Sequence, residues 1–175
     1  MNFQELYYKY KNTVYNLAVQ YVQNIEDAEE ITQDVFLKIH QNLNRFEKRA
    51  DLKTWIYRIT INTSLDYLKS KKAKKRFSFF ISLFHNESNE PLFQVSDFNH
   101  PGIELENKEA VERIFRIINE LPDRQKTVII LSKIEGKSQK EISEIMQINV
   151  KAVESLIQRA KSTLSQKIYS QSKGK

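Results

Sequence analysis

The stretch GKSQKEISEIMQINVKAVESLIQRAK, residues 136–161, decides the fold of the C-terminal part because it predicts two helices joined by a tight turn. Ser138 and Glu141 form the S-x-x-E pattern of a capping box, which starts the first helix. Asn149 is suited to cap the second helix, since its side chain can accept from backbone N–H groups of the first turn. The pattern is typical of a helix-turn-helix, whose second helix can enter a DNA major groove.

The second helix of this motif is amphipathic. Val153, Ile157, Ala160 and Leu164 are spaced by four, three and four residues, which predicts one buried stripe. A helical hairpin that binds no DNA and has a solvated polar face would have the same spacing. The charge distribution therefore has to distinguish such a hairpin from a DNA-binding helix-turn-helix. The other face carries donors and acceptors suited to phosphates and base edges, namely Lys151, Glu154, Ser155, Gln158, Arg159 and Lys161.

The positive charge is concentrated in two blocks. Residues 121–175 carry 11 Lys and Arg against 5 Asp and Glu, residues 77–120 carry 3 against 8, and residues 1–76 carry 14 against 9. Most of the N-terminal excess lies in KSKKAKKR, residues 69–76. A basic run alone is usually a solvated face, but two basic blocks around an acidic connector indicate two modules that contact nucleic acid.

Composition excludes several classes of protein. The 175 residues include no Cys, which excludes disulfides and thiolate sites, and the three scattered His offer no metal-ligand spacing. No apolar run approaches the ~20 residues of a membrane span, and the N-terminus lacks a signal-peptide pattern. We therefore expect a cytoplasmic protein that has no cofactor, no metal and no catalytic site.

The chain is expected to be all-α. It has three Gly and three Pro in long periodic stretches, which predict two small helical domains joined by a flexible linker. We expect a three-helix domain at residues 1–76, a linker at 77–102 and the helix-turn-helix domain at 103–175. The apolar start of the linker, residues 77–84, either packs on the first domain or forms a docking segment.

Two separate segments resemble the extracytoplasmic-function (ECF) group of bacterial RNA polymerase sigma factors. DAEEITQDVFLKIHQNLNRF (27–46) and TWIYRITINTSLDYLKSKK (54–72) resemble region two of that family, and LPDRQKTVIILSKIEGKSQKEISEIMQINVKAVESLIQRAKSTL (121–164) resembles region four. The resemblance implies a promoter-recognition subunit that binds core RNA polymerase. Region four would read the upstream −35 element as duplex, and region two would melt and capture the −10 element as a single strand.

The resemblance also implies which residues contact DNA. A melted strand needs aromatic stacking, polar groups for an extruded base and cations for the backbone. Trp55 would either anchor the core at the start of its helix or stack on a base. The residues implied for the −10 element are Asn42, Phe46, Arg58, Asn62, Lys69, Lys71 and Lys72, and those for the −35 element are the six polar residues of the second motif helix.

The sequence predicts that the second helix of the first domain spans residues 25–43. Its acidic face matches the surface with which the family binds the coiled-coil clamp of the polymerase's largest subunit. Carboxylates there would accept hydrogen bonds from Arg and Lys, and Ile31 and Phe36 would give apolar contact. The family also implies contact with the polymerase flap and an anti-sigma factor as partner, without insertion of this chain into a membrane. The implied polymerase-binding residues are Asp27, Glu30, Ile31, Gln33, Asp34 and Phe36.

Three positions depart from the family pattern. Gln147 occupies the motif turn where Gly is usual, which predicts a costlier backbone conformation. Glu154 and Leu156 stand where basic residues are common. They predict an unusual upstream preference, in which Glu154 accepts from cytosine N4 and Leu156 touches a thymine methyl.

Two other classes of function compete with the sigma factor. One is a helix-turn-helix repressor or activator whose N-terminal helices dimerise or sense a signal. The other is an enzyme that acts on nucleic acid, against which the lack of a metal or nucleophile constellation argues. Only a sigma factor requires the first domain to bind the polymerase clamp.

Overall fold

The computed structural model describes residues 2–46, 51–84 and 108–172, and within these ranges the chain is helical and contains no strand. This confirms the all-α prediction. The helices are α1 (Phe3–Val22), α2 (Ile25–Asn42), α3 (Leu52–Phe84), α4 (Lys108–Asn119), α5 (Asp123–Ile129), α6 (Gln139–Met146) and α7 (Val150–Ser172). A 3₁₀ turn at Leu43–Arg45 follows α2, and a π-helical turn at Ile130–Ile134 follows α5.

The helix-turn-helix forms with the predicted caps. The backbone N–H of Ser138 donates to Glu141 Oε2 at 2.8 Å, and the N–H of Glu141 donates back to Ser138 Oγ at 3.3 Å. The Ser138 hydroxyl also donates to Glu141 Oε2 at 2.8 Å. The bond from the Ser138 N–H and this one hold the pKa of the Glu141 carboxyl below its usual value. Asn149 Oδ1 accepts from the N–H of Ala152 at 2.7 Å at the start of α7. The capping box starts α6, and the Asn cap starts α7, as the sequence predicts.

The turn between α6 and α7 contains a residue in the left-handed region. Gln147 has φ 55° and ψ 44°, and its N–H bonds to the carbonyl of Ser143. A residue with a Cβ in this region costs ~1–2 kcal/mol, which glycine would avoid. Gln147 therefore adopts the kind of backbone conformation that the sequence predicts for this turn.

Helices α1, α2 and α3 form the first unit, whose core is apolar. The central residues of that core include Leu6, Val14, Ile31, Val35 and Ile39, each fully buried. Tyr10 and Ala18 of α1 and Ala28 of α2 belong to the same core, so its residues recur every four positions along α1 and every three or four along α2, and one stripe of each helix faces the other. Ile56 of α3 closes the same core.

Helices α4 to α7 form the second unit. A second apolar core is shared by the first unit and the second unit. It combines Leu17 and Tyr21 of α1 and Tyr57 and Ile61 of α3 with apolar residues of the C-terminal helices. Helix α3 lies directly against α6. The two units thus pack on each other in this conformation, which the sequence did not indicate. The C-terminal members of the shared core are Ile118, Leu121, Val128, Ile129, Ile130, Leu131, Ile142, Ile145, Val153, Leu156 and Ala160.

The connector differs from the expectation at its start. Helix α3 continues to Phe84, so residues 77–84, which were expected to belong to a flexible linker, are helical, and no Gly or Pro interrupts the sequence from Leu52 to Phe84. The rest of the expected linker, 85–102, lies outside the described residues. So do residues 103–107, where the sequence predicts the next helix to begin.

Candidate nucleic-acid and polymerase interfaces

The polar face of α7 is exposed along its whole predicted length. Its six candidates for the −35 element, Lys151, Glu154, Ser155, Gln158, Arg159 and Lys161, are all solvent-exposed. The Arg159 guanidinium donates to Ser155 Oγ at 2.9 Å, which lays this cation along the helix surface. The face is therefore available to a DNA duplex without rearrangement of the helix.

Leu156 does not belong to that face. Its side chain is 8% exposed and lies in the shared core with Val153 and Ala160. The interval of three residues from Val153 and four to Ala160 places it on the buried stripe of the helix. The expectation that Leu156 touches a thymine methyl is therefore wrong, whereas Glu154 remains exposed.

Two aromatic rings meet at the start of α3. The ring centroids of Phe46 and Trp55 are 4.9 Å apart, with a 36° angle between the ring planes. Trp55 is half-buried and packs against the first core, in agreement with its interpretation as an anchor. Phe46 is also half-buried and rests on it, so the indole supports the ring that the sequence assigns to base stacking.

The two candidate base-capturing amides, Asn42 and Asn62, are exposed on neighbouring helices. Asn42 Nδ2 donates to the carbonyl of Lys38 at 2.8 Å. Lys38 Nζ in turn donates to Thr63 Oγ1 at 3.0 Å, which joins α2 to α3 beside Asn62. Lys38 thus contacts both Asn42 and the neighbour of Asn62, which sequence spacing did not reveal because the second contact joins two helices.

Three of the four candidate phosphate-binding cations of α3, namely Arg58, Lys69 and Lys71, have partners within the protein. Arg58 Nε donates to the backbone carbonyl of Glu144 in α6 at 3.1 Å. Lys69 Nζ lies 3.9 Å from Asp66 Oδ1 and 4.0 Å from Asp123 Oδ2. Lys72 is exposed. Arg58 and Lys69 therefore connect the proposed −10 surface to the second unit.

A cleft of about 220 Å³ separates α3 from α5 and the end of α6. Arg58 and Asn62 line it from α3, and Asp123, Arg124 and Gln147 line it from the second unit. The cleft carries both signs of charge and amide groups. Two of the α3 residues that the sequence assigns to the −10 strand, Arg58 and Asn62, therefore lie at the border with the second unit.

The acidic face of α2 is only partly as expected. Glu30, Gln33 and Asp34 are exposed. Asp27 is instead held by α3: its carboxylate accepts from the Tyr67 hydroxyl at 2.7 Å and pairs with Lys71. Burial, followed by the hydrogen bond to Asp27, raises the pKa of Tyr67 above its usual value.

The two apolar candidates of this face are in the core. Ile31 is 0% and Phe36 is 5% exposed, so neither side chain can give the expected apolar contact to a partner. Leu37 is 57% exposed, and it follows Asp34 by three residues, which places both on one helix face. That spacing was the sequence signal that could have identified Leu37.

Polar contacts also join the two units beneath the cleft. The Tyr21 hydroxyl donates to Thr127 Oγ1 at 3.0 Å, and Lys126 Nζ donates to the Tyr21 carbonyl at 2.9 Å. Glu135 accepts from Gln20 Nε2 and from the Tyr57 hydroxyl, each at 2.6 Å. None of these contacts was predicted, because each joins residues far apart in the sequence.

Burial sets the protonation of these joining groups. It lowers the pKa of the Lys126 ammonium to about 8, against an opposing effect of Asp123. It also raises the pKa of Tyr21 above its usual range. For Tyr57, burial comes first and the Glu135 carboxylate second, and both raise the pKa. Both hydroxyls consequently stay protonated and able to donate at neutral pH.

Within the ranges that the structure describes, no three His, Cys, Asp or Glu side chains are arranged to hold a metal ion. Over the same ranges, no helix has the length and apolar character needed to cross a bilayer.

Comparison with known proteins gives two family matches. The Sigma-70 region 2 family matches residues 6–74, and the Sigma-70 region 4 family matches residues 112–164. The chain is 31% identical over 166 residues to the ECF RNA polymerase sigma-E factor of Haemophilus influenzae, with 95% of this chain and 87% of the relative covered. It is 29% identical over 163 residues to the ECF RNA polymerase sigma factor SigW of Bacillus subtilis, with 91% and 84% covered.

Two solved structures have the same fold. CnrH, solved in complex with the cytosolic domain of CnrY, has a TM-score of 0.65 at 21% identity, with 96% of this chain and 88% of that chain covered. The sigma factor RpoE from Bartonella quintana, solved with the anti-sigma factor NepR, has a TM-score of 0.62 at 20% identity, with 94% of each chain covered.

Proposed function

The chain belongs to the ECF group of RNA polymerase sigma factors, and on this premise we propose how its surfaces divide the work of promoter recognition. As a sigma factor it binds core RNA polymerase and directs promoter-specific initiation of transcription. The presence of region two beside region four in one chain carries this conclusion. A repressor or activator with a helix-turn-helix alone would not need the region two match over α1 to α3.

The −10 element is assigned to the C-terminal end of α2, the turn that follows it and residues 58–72 of α3. Phe46, supported by Trp55, offers a ring on which an unstacked base can lie, since base–aromatic stacking tolerates any base. Asn42 and Asn62 offer amide groups for the edge of an extruded base. The backbone of the melted strand would follow four cations of α3, namely Arg58, Lys69, Lys71 and Lys72.

The −35 element is assigned to the exposed face of α7. Lys151, Arg159 and Lys161 supply cations for phosphates or guanine edges, and Ser155 and Gln158 supply groups that can donate and accept. Glu154 can only accept in its ionised form, so it suits the amino group of cytosine or adenine. The exposure of all six side chains on one helix supports this assignment.

Core polymerase is assigned to the outer face of α2. Glu30, Gln33 and Asp34 are exposed acceptors for cationic side chains of the largest-subunit clamp, and Leu37 adds apolar contact beside them. Asp27 borders this face but is occupied by α3, so it contributes chiefly by holding α2 in place. We assign the second contact, with the polymerase flap, to the region four unit.

An anti-sigma factor is proposed as a further partner, since the related fold of RpoE was solved with one and that of CnrH with the cytosolic domain of CnrY. The proposal places the protein in the cytoplasm, where promoter DNA lies, with no cofactor and no catalytic activity of its own. Its proposed working units are residues 1–76 and 103–175, joined by residues 77–102, of which 77–84 continue α3.

Reconstitution tests this function directly. The full chain is mixed with core RNA polymerase, the holoenzyme is isolated by gel filtration, and run-off transcription is measured on fragments of the source genome. We expect discrete transcripts that core polymerase alone does not make. Co-elution without any promoter-dependent transcript would contradict promoter recognition, and failure to co-elute would contradict polymerase binding.

A further inference from the structure

One tyrosine of α3 lies between two carboxylates of α2. The Tyr67 hydroxyl is 2.7 Å from Asp27 Oδ1 and 3.3 Å from Glu30 Oε2. Asp27 and Glu30 are three residues apart, so their side chains are neighbours on one side of the helix. A hydroxyl has one proton, so Tyr67 donates mainly to Asp27, and the longer contact to Glu30 is the weaker of the two.

The position of this hydroxyl is set by the fold. The ring of Tyr67 is half-buried and packs against the first apolar core. The Lys71 ammonium lies over the ring, 5.9 Å from its centroid. Burial, followed by the hydrogen bond to Asp27, raises the pKa of Tyr67, so the hydroxyl remains a donor at neutral pH. Helix α3 therefore presents a fixed donor to the edge of α2.

The two carboxylates differ in what is left for a partner. Asp27 is half-buried, and its carboxylate pairs with Lys71 as well as with Tyr67. Its backbone N–H also bonds to Asn24 Oδ1 at 2.8 Å, which fixes the first turn of α2. Glu30 is exposed and belongs to the face assigned to core polymerase. Asp27 thus serves the contact between the helices, whereas Glu30 remains accessible.

A donor between two carboxylates lowers the cost of holding them close together. Like charges at neighbouring positions of a helix repel each other. Tyr67 places a proton between Asp27 and Glu30, and Lys71 balances the charge of Asp27. Without the hydroxyl, repulsion favours rotamers of Glu30 that turn its carboxylate away from Asp27. The hydroxyl therefore restricts the direction in which the Glu30 carboxylate points.

Such a restriction affects binding. An interface has to immobilise each flexible side chain that it uses, which lowers affinity by about two- to tenfold when that side chain is free beforehand. Glutamate is among the side chains that lose the most rotamer freedom. Because Tyr67 already restricts Glu30 in the free protein, less freedom is lost when a partner binds this carboxylate.

We propose that Tyr67 is a positioning residue for polymerase binding, whose hydroxyl orients the Glu30 carboxylate toward a cationic side chain of the clamp. The inference deepens the proposed function, on which it rests. It adds to the polymerase face a residue of another helix that acts only through Glu30. Helix α3 thereby contributes to polymerase binding, in addition to its proposed contact with the −10 strand.

The hydroxyl can be removed by itself. Tyr67→Phe keeps the packed ring and the aromatic face beneath Lys71. Affinity of the labelled full chain for core RNA polymerase, measured by fluorescence anisotropy, should fall about two- to tenfold. Tyr15→Phe is the matched control, since it changes another half-buried tyrosine on the same core, and it should bind like the wild type. Wild-type affinity for Tyr67→Phe, or an equal loss for Tyr15→Phe, would overturn the proposal.

A double-mutant cycle distinguishes positioning from a general structural role. In the Glu30→Ala background, Tyr67→Phe should change the affinity by less than about twofold, because no carboxylate is left to orient. In the Asp34→Ala background, it should cause the same loss as in the wild type. A purely structural role lowers affinity by one factor in all three backgrounds. That result, or a loss that also disappears with Asp34→Ala, would overturn the positioning role.

A second background keeps the test decisive if Tyr67→Phe does not fold, which circular dichroism checks. The cycle is then repeated in Asp27→Asn, where removal of the hydroxyl deprives no half-buried carboxylate of a donor. The same dependence on Glu30 is expected, and equal losses with and without Glu30 would overturn the proposal. A wild-type chain that does not bind core polymerase would instead contradict the proposed function, so the two failures are distinguishable.

Discussion

Lys71 and Asp27 form an ion pair with each other, although the sequence assigned the lysine to DNA and the carboxylate to polymerase. The Asp27 side chain is 15% exposed and the Lys71 side chain is 58% exposed, so the carboxylate is the enclosed partner. Tyr67 donates to the same carboxylate at 2.7 Å. Asp27 therefore joins α2 to α3, and the exposed acids of the polymerase face are Asp34 and Glu30, whose carboxylate also lies 3.3 Å from the Tyr67 hydroxyl.

Charge reversal on that face should weaken holoenzyme assembly. Asp34→Lys, alone or with Glu30→Lys, turns attraction to a cationic clamp into repulsion, which costs several kcal/mol when like charges meet at an interface. Affinity for core polymerase, measured by fluorescence anisotropy of the labelled sigma factor, should fall at least tenfold. Glu144→Lys is the control for charge, since it changes another exposed acid on the other unit. An equal loss in both single variants would remove α2 from the polymerase interface.

Asn62→Ala and Phe46→Ala should impair promoter opening but spare polymerase binding. Stacking and base capture are worth ~1–3 kcal/mol per base and act only after the duplex has melted. Permanganate footprinting on a promoter found by run-off transcription should show reduced melting for both variants. A template with a preformed bubble should restore part of the activity. Footprints as strong as those of the wild type would contradict the −10 assignment.

Arg159 and Glu154 should affect upstream recognition in different ways. Arg159→Ala removes a cation from the exposed face of α7, so binding to the −35 element should weaken and depend less on salt. Glu154→Ala removes a negative charge that DNA repels. It should strengthen non-specific binding and relax one or two base positions by about 1–3 kcal/mol. Selection from a randomised upstream element measures both effects, and an unchanged base preference for Glu154→Ala would show that this carboxylate reads no base.

Lys126 should make the free energy of unfolding of the protein depend on pH. Its pKa is lowered to about 8 in the folded chain from 10.5, so between these values the unfolded chain binds more protons and stability rises with pH. The full effect is at most about 3 kcal/mol. The charges that face the ammonium are Asp123, which opposes the shift, and Lys72, which adds to it. Tyr21 and Tyr57, whose pKa values are raised above 10, reverse the trend above that pH.

Urea unfolding from pH 7 to pH 10 measures this dependence. The free energy of unfolding of the wild type should rise between pH 8 and pH 10, and Lys126→Met should remove most of that rise. Lys133→Met, which changes an exposed lysine of the same unit, should keep it. Parallel curves for Lys126→Met and the wild type would contradict the assignment of the slope to the buried ammonium.

Gln147→Gly should stabilise the protein. The residue has φ 55°, and glycine removes the steric cost of a side chain there, for a gain of about 1 kcal/mol less the extra entropy of an unfolded glycine. Gln139→Gly is the matched control at the start of α6, where helical φ gives glycine no advantage and a loss is expected. Thermal unfolding compares the two variants. A lower midpoint for Gln147→Gly would show that its side chain stabilises the turn.

Local features of this chain were accessible from sequence because short-range chemistry decides them. The capping box at Ser138 and Glu141 and the Asn149 cap depend on residues three positions apart, and both form. The left-handed turn at Gln147 was also predicted. The buried face of α7 was predicted less accurately. Leu156 was assigned to the DNA-facing side, although it satisfies the same helical period as the buried residues and is itself buried.

The polymerase face shows where such reasoning fails. Glu30 and Asp34 are exposed as predicted, but Ile31 and Phe36 are buried, since an apolar residue on an amphipathic helix stabilises most where it leaves water. The Asp27 carboxylate instead accepts hydrogen bonds from Tyr67 and Lys71, which are 40 and 44 residues away in the sequence. Periodicity locates the faces of a helix but does not tell which neighbouring helix covers them.

By itself, the sequence determined the helical class, the caps of the helix-turn-helix and the two sigma regions, because periodicity, capping and family motifs are properties of contiguous residues. Only the tertiary structure decided that Tyr57 and Gln20 meet Glu135, that Lys126 is buried against Tyr21, and that α6 covers Arg58. Those contacts join residues that are 78 to 115 positions apart in the sequence. Their formation depends on the balance between burial and desolvation when two folded units meet, and no local pattern encodes that balance.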